Sequence, residues 1–310
     1  MNSINIALNL FSSITRSIPY FRGLGTIYRM FNLILIKFCS NPIVNCNMKD
    51  GTTMRIDLRT NTDIDAYYRG IYDDELITVV RSILNPDSIF IDVGANIGFY
   101  TISIAAWIKS KNGSGQVIAF EPFDGNYQRL IENIKLNNLE NSITTHKIGL
   151  SNESAESLIT LREDFLYGSG TGNAAIPTDE VFDAGFKTAP IHLEKLDKIF
   201  DDLYSDKIGI DFIKIDIEGH EDFCLQGGYN TIQEYRPTIL MEVNKPYYIA
   251  RKVKLDDIFN PLLPSEYLLY KKFGNQWKTI SSLNECGTID NVFLIPKEKI
   301  TLDHYKIFIS

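Results

Sequence analysis

The sequence predicts an α/β protein built on a mostly parallel sheet, with helices on both faces and an antiparallel C-terminal edge. Short segments rich in Ile, Val and Phe alternate with helix-length segments between residues 89 and 244, which is typical of a covered parallel sheet. After Pro264 this alternation ends, and "EYLLYKKF", "GNQ" and "NVFLIP" resemble antiparallel strands joined by a turn. The hydrophobic share of 44% and the charged share of 23% are those of a soluble globular protein.

The segments can be placed in chain order from their periodicity. "GTTMRIDL" alternates polar and apolar residues like a half-buried strand, and "DDELITVVRSIL" has helical spacing with Asp73 or Asp74 as its N-cap. Beyond "NPDS" we predict five strands, at 89–93, 117–120, 143–151, 211–219 and 237–244. We predict helices at 99–109, in "YQRLIENIKLNNL", and from about 221 to 234.

Residues 151–195 do not fit the alternation. "LYGSGTGNAAIPTDE" is rich in Gly, Ser, Thr and Asn, and an insertion of this length is usually a functional loop or a disordered segment. We expect either a substrate lid or disorder here, within one domain that spans residues 50–310 and has its core at about 89–245.

The N-terminal extension, residues 1–49, differs in charge from the rest. It has five basic residues and no acidic one, which is a charge of +5. The net charge of the whole chain is −8, so residues 50–310 carry −13. We expect one or two amphipathic helices packed on the domain; the alternative is a peripheral membrane contact through a surface helix. The apolar stretch at residues 30–39 is too short to span a bilayer.

Composition also limits the partners and the compartment. The net charge of −8, without a basic stripe, argues against nucleic-acid binding. The four cysteines form no C-x-x-C pair, so we predict reduced thiols and a cytoplasmic location. They are Cys39, Cys46, Cys224 and Cys286.

The stretch "IFIDVGANIGFYT" predicts a ligand corner where a strand meets a glycine loop and a helix. A dinucleotide fingerprint would have glycine at Asn96, and Asp92 would repel a phosphate, so a nucleoside with a cationic group fits better. Glu121 lies 29 residues after Asp92, near the distance at which an acidic residue binds the hydroxyls of a ribose. This pattern predicts S-adenosylmethionine (SAM). Its predicted contacts are Asp92, Gly94, Ala95, Asn96, Gly98, Glu121 and Pro122.

Four blocks together resemble the FkbM family of SAM-dependent methyltransferases. They are "FIDVGANIGFYTISIA", "VIAFEPFDGNYQRLIENIKLNNL", "DFIKIDIEGHE" and "RPTILMEVN". The resemblance implies a Rossmann-like class I methyltransferase fold and transfer of a methyl group, typically to a hydroxyl oxygen of a sugar, polyketide or other glycan material.

The turn "KIDIEGHE" predicts the catalytic residues. Asp216, Glu218 and His220 follow the fourth strand, at the same edge of the sheet as the cofactor corner. A positioned base accelerates methyl transfer to a hydroxyl, and His220 could act as that base. Asp216 or Glu218 is the better candidate for contact with the acceptor or with the methionine end of SAM. Glu221 could instead simply cap the next helix.

Several alternatives stay open. Asp216 with Glu242 and Asn244 resembles an acidic magnesium site, although the leading hypothesis has no metal. The acceptor could be a nitrogen or carbon atom of another small molecule. The chain could also be a non-catalytic assembly or docking subunit with the same fold.

Overall fold

The computed structural model describes residues 3–39, 41–166, 168–177, 182–204, 209–263 and 265–309. Its first part contains two helices, a two-stranded ribbon and two further helices. They are α1 (Ser3–Ser17), α2 (Leu24–Ile36), β1 (Ile43–Asn47), β2 (Thr53–Asp57), α3 (Asn61–Arg69) and α4 (Asp74–Ile83). The strand predicted in "GTTMRIDL" is β2, and its antiparallel partner β1 was not predicted.

The second part alternates strands and helices and ends in three strands. In order these are β3 (Ile89–Val93), α5 (Phe99–Ser110), β4 (Gln116–Phe120), α6 (Asp124–Leu136), β5 (Ile143–His146), β6 (Gly149–Leu150), β7 (Ala155–Leu161), α7 (Glu163–Leu166), β8 (Ala174–Ala175), β9 (Lys187–Glu194), α8 (Leu196–Leu203), β10 (Phe212–Ile215), α9 (Glu221–Gly227), α10 (Tyr229–Tyr235), β11 (Thr238–Asn244), α11 (Lys245–Ala250), α12 (Leu255–Phe259), β12 (Tyr267–Phe273), β13 (Gln276–Ile280) and β14 (Ile289–Pro296). Short 3₁₀ helices cover Leu283–Glu285 and Asp303–Phe308.

The main sheet has eight strands in the order β13-β12-β14-β11-β10-β3-β4-β5. The five strands from β5 to β11 are parallel, and β14, β12 and β13 are antiparallel, which confirms the predicted fold class. Separate apolar clusters pack against its two faces. In the sheet, β3 has β4 on one side and β10 on the other, so the strand order reverses between β3 and β10. In open α/β sheets the ligand crevice lies beyond the carboxyl ends of the strands at this point.

The insertion is more regular than predicted. Strands β6, β9, β7 and β8 form a second sheet, in which β7 pairs with β9 over the whole length of β7. The alternative of disorder over 151–195 is therefore wrong for β7 and β9, and the expectation of a substrate lid stays a prediction. Their inward side chains form a small apolar cluster, which supplies the packing that the Gly- and Ser-rich segment lacks. Tyr167 and residues 178–181 of this segment lie outside the described residues, as does Pro264.

Two predicted helix features differ in detail. The helix predicted at 221–234 is two short helices, α9 and α10, that meet at Gly228. Asp73 stands at the N-cap position of α4 but makes no capping hydrogen bond; its carboxylate accepts one from the hydroxyl of Tyr100 (3.1 Å).

The N-terminal helices pack on α3 and its surroundings. The rings of Phe11 on α1 and Phe31 on α2 pack together, with their centres 3.9 Å apart. Tyr28 on α2 stacks on Tyr68 on α3, with ring centres 5.2 Å apart. Asn32 donates a hydrogen bond to the carbonyl of Leu58 (2.8 Å). Within the described residues, no helix is both long enough and apolar enough to span a membrane.

Candidate active site

A cavity of about 180 Å³ lies at the carboxyl ends of β3, β4, β10 and β11. Every residue predicted for the site lines it except Gly98. Its charged side chains are mostly acidic. The acidic ones are Asp63, Asp92, Glu121, Asp216, Glu218 and Glu242, and Lys214 is the cationic one among the described lining residues. An interior with this excess of carboxylates favours a ligand that carries positive charge.

Asp92 ends β3 and is fully buried. One carboxylate oxygen accepts a hydrogen bond from the hydroxyl of Thr101 (2.6 Å), at the start of α5. The other has no hydrogen-bond partner and lies 3.6 Å from the ammonium of Lys214. Asp92 therefore fixes the strand-to-helix corner and an internal cation behind the cavity surface.

The glycine loop lets two strand ends approach each other. Gly94 has a φ of +77°, and a Cβ atom at this position would lie 2.0 Å from the carbonyl oxygen of Asp216. The N–H groups of Gly94 and Ala95 both donate to the carbonyl of Phe120, at 3.0 and 2.9 Å. The loop is thus tied to the ends of both β4 and β10, and any larger residue than glycine at position 94 would push them apart.

Glu121 follows β4 and is held by main-chain donors. The N–H of Asn96 donates to one carboxylate oxygen and the N–H of Phe123 to the other, both at 2.9 Å. Burial raises the pKa of Glu121 to about 7, against the effect of these donors. The side chain of Asn126 interacts with the same carboxylate and also lowers its pKa. A carboxylate accepts about four hydrogen bonds, so Glu121 keeps room for a ligand donor beside these partners.

Lys214, on β10, was not predicted. It pairs in register with Asp92, and its ammonium lies 3.2 Å from Asp216 and 5.0 Å from the centre of the Tyr100 ring. Burial favours its neutral form, but the carboxylates of Asp216 and Asp92 outweigh this and raise the pKa of Lys214. A lysine inside the apolar run "FIKI" was the signal in the sequence, because such residues are rarely buried without a partner.

The turn after β10 is held by the carboxylate of Glu221, which is not one of the residues that line the cavity. Glu221 is fully buried; it accepts hydrogen bonds from the N–H groups of Ile217 and Gly219 (both 3.1 Å) and from the hydroxyl of Tyr248. Arg251 donates to the carbonyl of Gly219 (2.7 Å). Glu221 therefore shapes the turn, in line with a structural role at the start of α9.

Glu218 projects from this turn with a left-handed φ of 55°. One carboxylate oxygen accepts a hydrogen bond from the side-chain amide of Asn173 (3.1 Å), and the other from that of Asn244 (3.2 Å). Burial, followed by repulsion from Asp216, raises the pKa of Glu218 to about 7. The same two causes raise the pKa of Glu242 to about 9. Both carboxyl groups therefore hold protons more strongly than usual, and Glu242 holds its proton the more strongly of the two.

His220 lines the cavity but is bound on its inner side. Its Nε2 atom lies 2.9 Å from the hydroxyl oxygen of Ser151, and its ring packs on Phe223. Burial lowers the pKa of His220 to about 4, so the ring is neutral at physiological pH. A group with this pKa is a weak proton acceptor.

Oxygens of Asp216, Glu218 and Glu242 lie within 4.8 Å of one another, as the ligands of a metal would. This set shares Asp216 and Glu242 with the alternative magnesium site. Asn244 lies beside the set, where its amide N–H donates to Glu218. Lys214 already supplies a positive charge to Asp216.

The insertion lines part of the cavity. Asn126 on α6 donates to the carbonyl of Gly172 (2.9 Å) and accepts from its N–H (3.0 Å). This pair places Asn173 to Ile176 along the cavity wall. The Gly-rich segment thus lines the same cavity as "DVGANIG" after β3 and "KIDIEGHE" at the end of β10.

Comparisons with known proteins agree with this arrangement. Residues 92–305 match the family model described as "Methyltransferase FkbM domain". Methyltransferase sdnD of Sordaria araneosa is 24% identical over 207 residues, which is 60% of this chain and 77% of that protein. Methyltransferase 1 of Beauveria bassiana is 27% identical over 175 residues, 53% of this chain and 67% of that protein.

A third relative and a solved structure match less of their own length. The AMB antimetabolite synthetase AmbE of Pseudomonas aeruginosa is 32% identical over 113 residues, 36% of this chain and 5% of that protein. The crystal structure of Methyltransferase FkbM from Methylobacillus flagellatus aligns with a TM-score of 0.42 and 19% identity, over 94% of this chain and 60% of that chain.

The family match covers well over half of the chain and includes "DVGANIG" and "KIDIEGHE". The strand order, with five parallel strands and an antiparallel edge, is that of class I methyltransferases. Membership of this family implies SAM as the methyl donor. The chain therefore belongs to the FkbM family and is a SAM-dependent methyltransferase.

Proposed function

We propose that this enzyme methylates a hydroxyl oxygen of a sugar or related polyhydroxy small molecule. The observation that carries the proposal is Glu218, a carboxyl group on the cavity wall whose pKa is raised to about 7. A base with a pKa near the working pH is efficient because it is largely ionised and still accepts a proton readily.

The cavity suits SAM in its charge and in its hydrogen-bonding groups. Bound SAM supplies an electrophilic methyl group on a sulfonium, together with two ribose hydroxyls and an ammonium. Glu121 keeps acceptor capacity beyond its protein donors, and with it the carboxylate would accept hydrogen bonds from the ribose hydroxyls. The excess of carboxylates around the cavity would favour the cationic part.

Asp92 supports this site from behind. Its carboxylate is fully buried and pairs with Thr101 and Lys214. In our proposal Asp92 positions the loop at Gly94–Gly98 and, through Lys214, the carboxylate of Asp216. Asp216 is the more accessible of the two, with 29% of its side chain exposed, and would contact the cationic end of SAM.

Glu218 is the residue we assign as the general base. The amides of Asn173 and Asn244 and the hydroxyl of Tyr247 orient its carboxylate, which keeps acceptor capacity for the hydroxyl of the methyl acceptor. Glu242, with a pKa of about 9, is mostly protonated at pH 7 and does not accept a proton there. His220, with a pKa of about 4, is a weaker base and is bound to Ser151.

The lining also supports the acceptor class. Carboxylates and amides such as Glu218, Asn173 and Asn244 bind hydroxyl groups well, and the excess negative charge disfavours an anionic acceptor. The same charge would favour an amine acceptor, so N-methylation is the second candidate. Methylation of carbon has no separate support among these residues.

Product analysis separates these candidates. The enzyme is incubated with SAM carrying a deuterated methyl group and with matched panels of sugars and amino sugars, and the products are analysed by tandem mass spectrometry. Label on a sugar oxygen supports the proposal, and label only on nitrogen favours the amine candidate. SAM binding without transfer to any acceptor would leave the non-catalytic role; no binding of SAM would overturn the proposed function altogether.

The metal alternative is tested in the same assay. Glu218 could instead join Asp216 and Glu242 as a magnesium ligand. We expect transfer to continue after exhaustive chelation with EDTA, because Lys214 already balances Asp216. Loss of activity on chelation, restored by added Mg²⁺, would contradict the assignment of Glu218 as a free base.

A further inference from the structure

The outer surface of the N-terminal helices is unusually apolar. Eleven of the twenty-two large hydrophobic side chains that are exposed in the described part of the chain lie within residues 6–38. They are Ile6, Leu10, Ile14, Ile18, Tyr20, Phe21, Ile27, Met30, Leu33, Ile34 and Phe38. A concentration of exposed apolar side chains on one short segment indicates an interaction surface.

Helix α1 has polar side chains on its buried side and apolar side chains on its exposed side, in addition to the buried Leu8. Its buried side includes Thr15, which donates to the carbonyl of Tyr68 (2.6 Å), and Arg16, which donates to the carbonyl of Tyr67. Ile6, Leu10 and Ile14 follow one another at four-residue spacing along the exposed side. This exposed row of apolar side chains remains largely open to solvent.

Helix α2 is apolar on both sides. Leu24 and Tyr28 are buried against the domain, whereas Met30 and Ile34 are each 60% exposed. Phe11 packs on Phe31 at 3.9 Å and holds the two helices together. The exposed apolar side chains of α1 and α2 thus lie on one packed helix pair. We call these exposed side chains the N-terminal apolar surface.

The charge of this segment indicates what covers the surface. Residues 1–49 contain five basic residues and no acidic one, whereas residues 50–310 carry a net charge of −13. Arg22, just before α2, and Lys37, just after it, are exposed. Basic residues beside exposed aliphatic and aromatic side chains complement a bilayer with anionic headgroups.

We propose that the N-terminal apolar surface binds the surface of an anionic phospholipid bilayer, with α1 and α2 lying in the plane of the interface. A second copy of the chain fits less well, because a symmetric contact would bring two basic segments together without an acidic residue between them. The acidic remainder of the chain would be repelled by the same headgroups, so the contact has one orientation.

Flotation of the full chain with lipid vesicles tests this proposal. Vesicles of phosphatidylcholine mixed with phosphatidylglycerol are compared with vesicles of phosphatidylcholine alone. We expect binding to the anionic vesicles, weakening as ionic strength rises. The variant Leu10→Glu/Met30→Glu should lose binding by on the order of tenfold per substitution, since each side chain no longer enters the interface.

The control is Leu203→Glu/Ile309→Glu, which introduces the same charges at two positions that are each 61% exposed elsewhere on the chain. It should bind vesicles nearly as well as the native chain. Circular dichroism melting and SAM titration of all variants establish that the fold is kept. Light scattering after size exclusion reports the oligomeric state.

Three results would overturn the proposal. They are failure of the native chain to bind anionic vesicles, equal losses in the two double variants, and a native dimer that becomes monomeric in Leu10→Glu/Met30→Glu without vesicle binding. The last result would assign the surface to a second copy of the chain.

Discussion

Glu121 and Glu218 lie on opposite sides of one cavity, and burial raises the pKa of each to about 7. Their surroundings differ. Glu121 is held by two main-chain N–H groups from the loops that follow β3 and β4. Glu218 is held by side chains, namely two amides and the hydroxyl of Tyr247, and the charges of Asp216 and Glu221 repel its own charge.

This difference indicates a division of labour. Main-chain donors fix Glu121 as an acceptor of hydrogen bonds, which suits a neutral pair of ligand hydroxyls. Like charges around Glu218 make its proton easy to gain and lose, which suits a base. A similar pKa thus accompanies two different roles, and the partners of each carboxylate distinguish them.

The largest expected effect is on catalysis by Glu218. Replacement by Gln keeps the shape and removes the proton acceptor, so kcat should fall by about 10²–10⁴-fold while the Kd for SAM changes little. In the native enzyme kcat should rise with pH up to about 7 and then level off. Steady-state kinetics across this range, with SAM titrated by calorimetry, measure both quantities.

Glu242→Gln is the matched control, because Glu242 has a pKa of about 9 and is already neutral at pH 7. Its kcat should stay close to the native value. Equal losses in the two variants would instead indicate a shared role, such as binding of a metal.

The next effect is on cofactor binding by Glu121. Glu121→Ala removes two charge-assisted hydrogen bonds to the ligand, so the Kd for SAM should rise by about 100-fold. Asp124→Ala, three residues further on and exposed, should bind like the native enzyme. If Glu121→Ala keeps both its melting temperature and its affinity for SAM, Glu121 is not a ribose ligand.

A smaller effect concerns stability without ligand. Asp63, Glu121, Glu218 and Glu221 each have a pKa raised to about 7, with burial as the largest cause. Their folded forms hold protons that the unfolded chain releases near pH 4.5, so stability is greatest below that pH and is lost as pH rises through 7.

His220 opposes this trend below pH 6.5, because its pKa is lowered to about 4. Between pH 6.5 and 8 the carboxyl groups dominate, with Glu242 and its pKa of about 9 among them, and the free energy of unfolding should fall by about 3–5 kcal/mol. Chemical denaturation at the two pH values measures it; a rise in stability over this interval would show that the carboxyl groups are ionised in the folded protein at lower pH.

The smallest effect is expected at His220. Its ring is neutral, bound to Ser151 and a weak base, so His220→Gln should lower kcat by less than about tenfold. A loss as large as that of Glu218→Gln would return the general base to His220.

The sequence predicted the cofactor side better than the acceptor side. "DVGANIG" and Glu121 are short-range patterns, because a strand end, a glycine loop and the next strand end follow one another in the chain. Lys214 and Glu242 meet Asp92 and Asp216 only through the lateral order of β3, β10 and β11. Their partners are set by sheet register, which no local pattern contains.

The insertion shows the same limit. Its composition predicted a loop over the site, but strands β7 and β9 depend on pairing across more than twenty residues. Asn173 reaches Glu218 because Gly172 is bound to Asn126, a contact between an inserted segment and a core helix. Such contacts form only when the whole fold is in place.

The central claim is that the cavity binds SAM and that Glu218 accepts the proton of a sugar hydroxyl. The most direct test is tandem mass spectrometry of products formed with deuterated SAM by the native enzyme and by Glu218→Gln in parallel. We predict labelled methyl on a sugar oxygen with the native enzyme and at least a 100-fold lower yield with the variant. Equal yields from the two enzymes, or label confined to nitrogen, would contradict the claim.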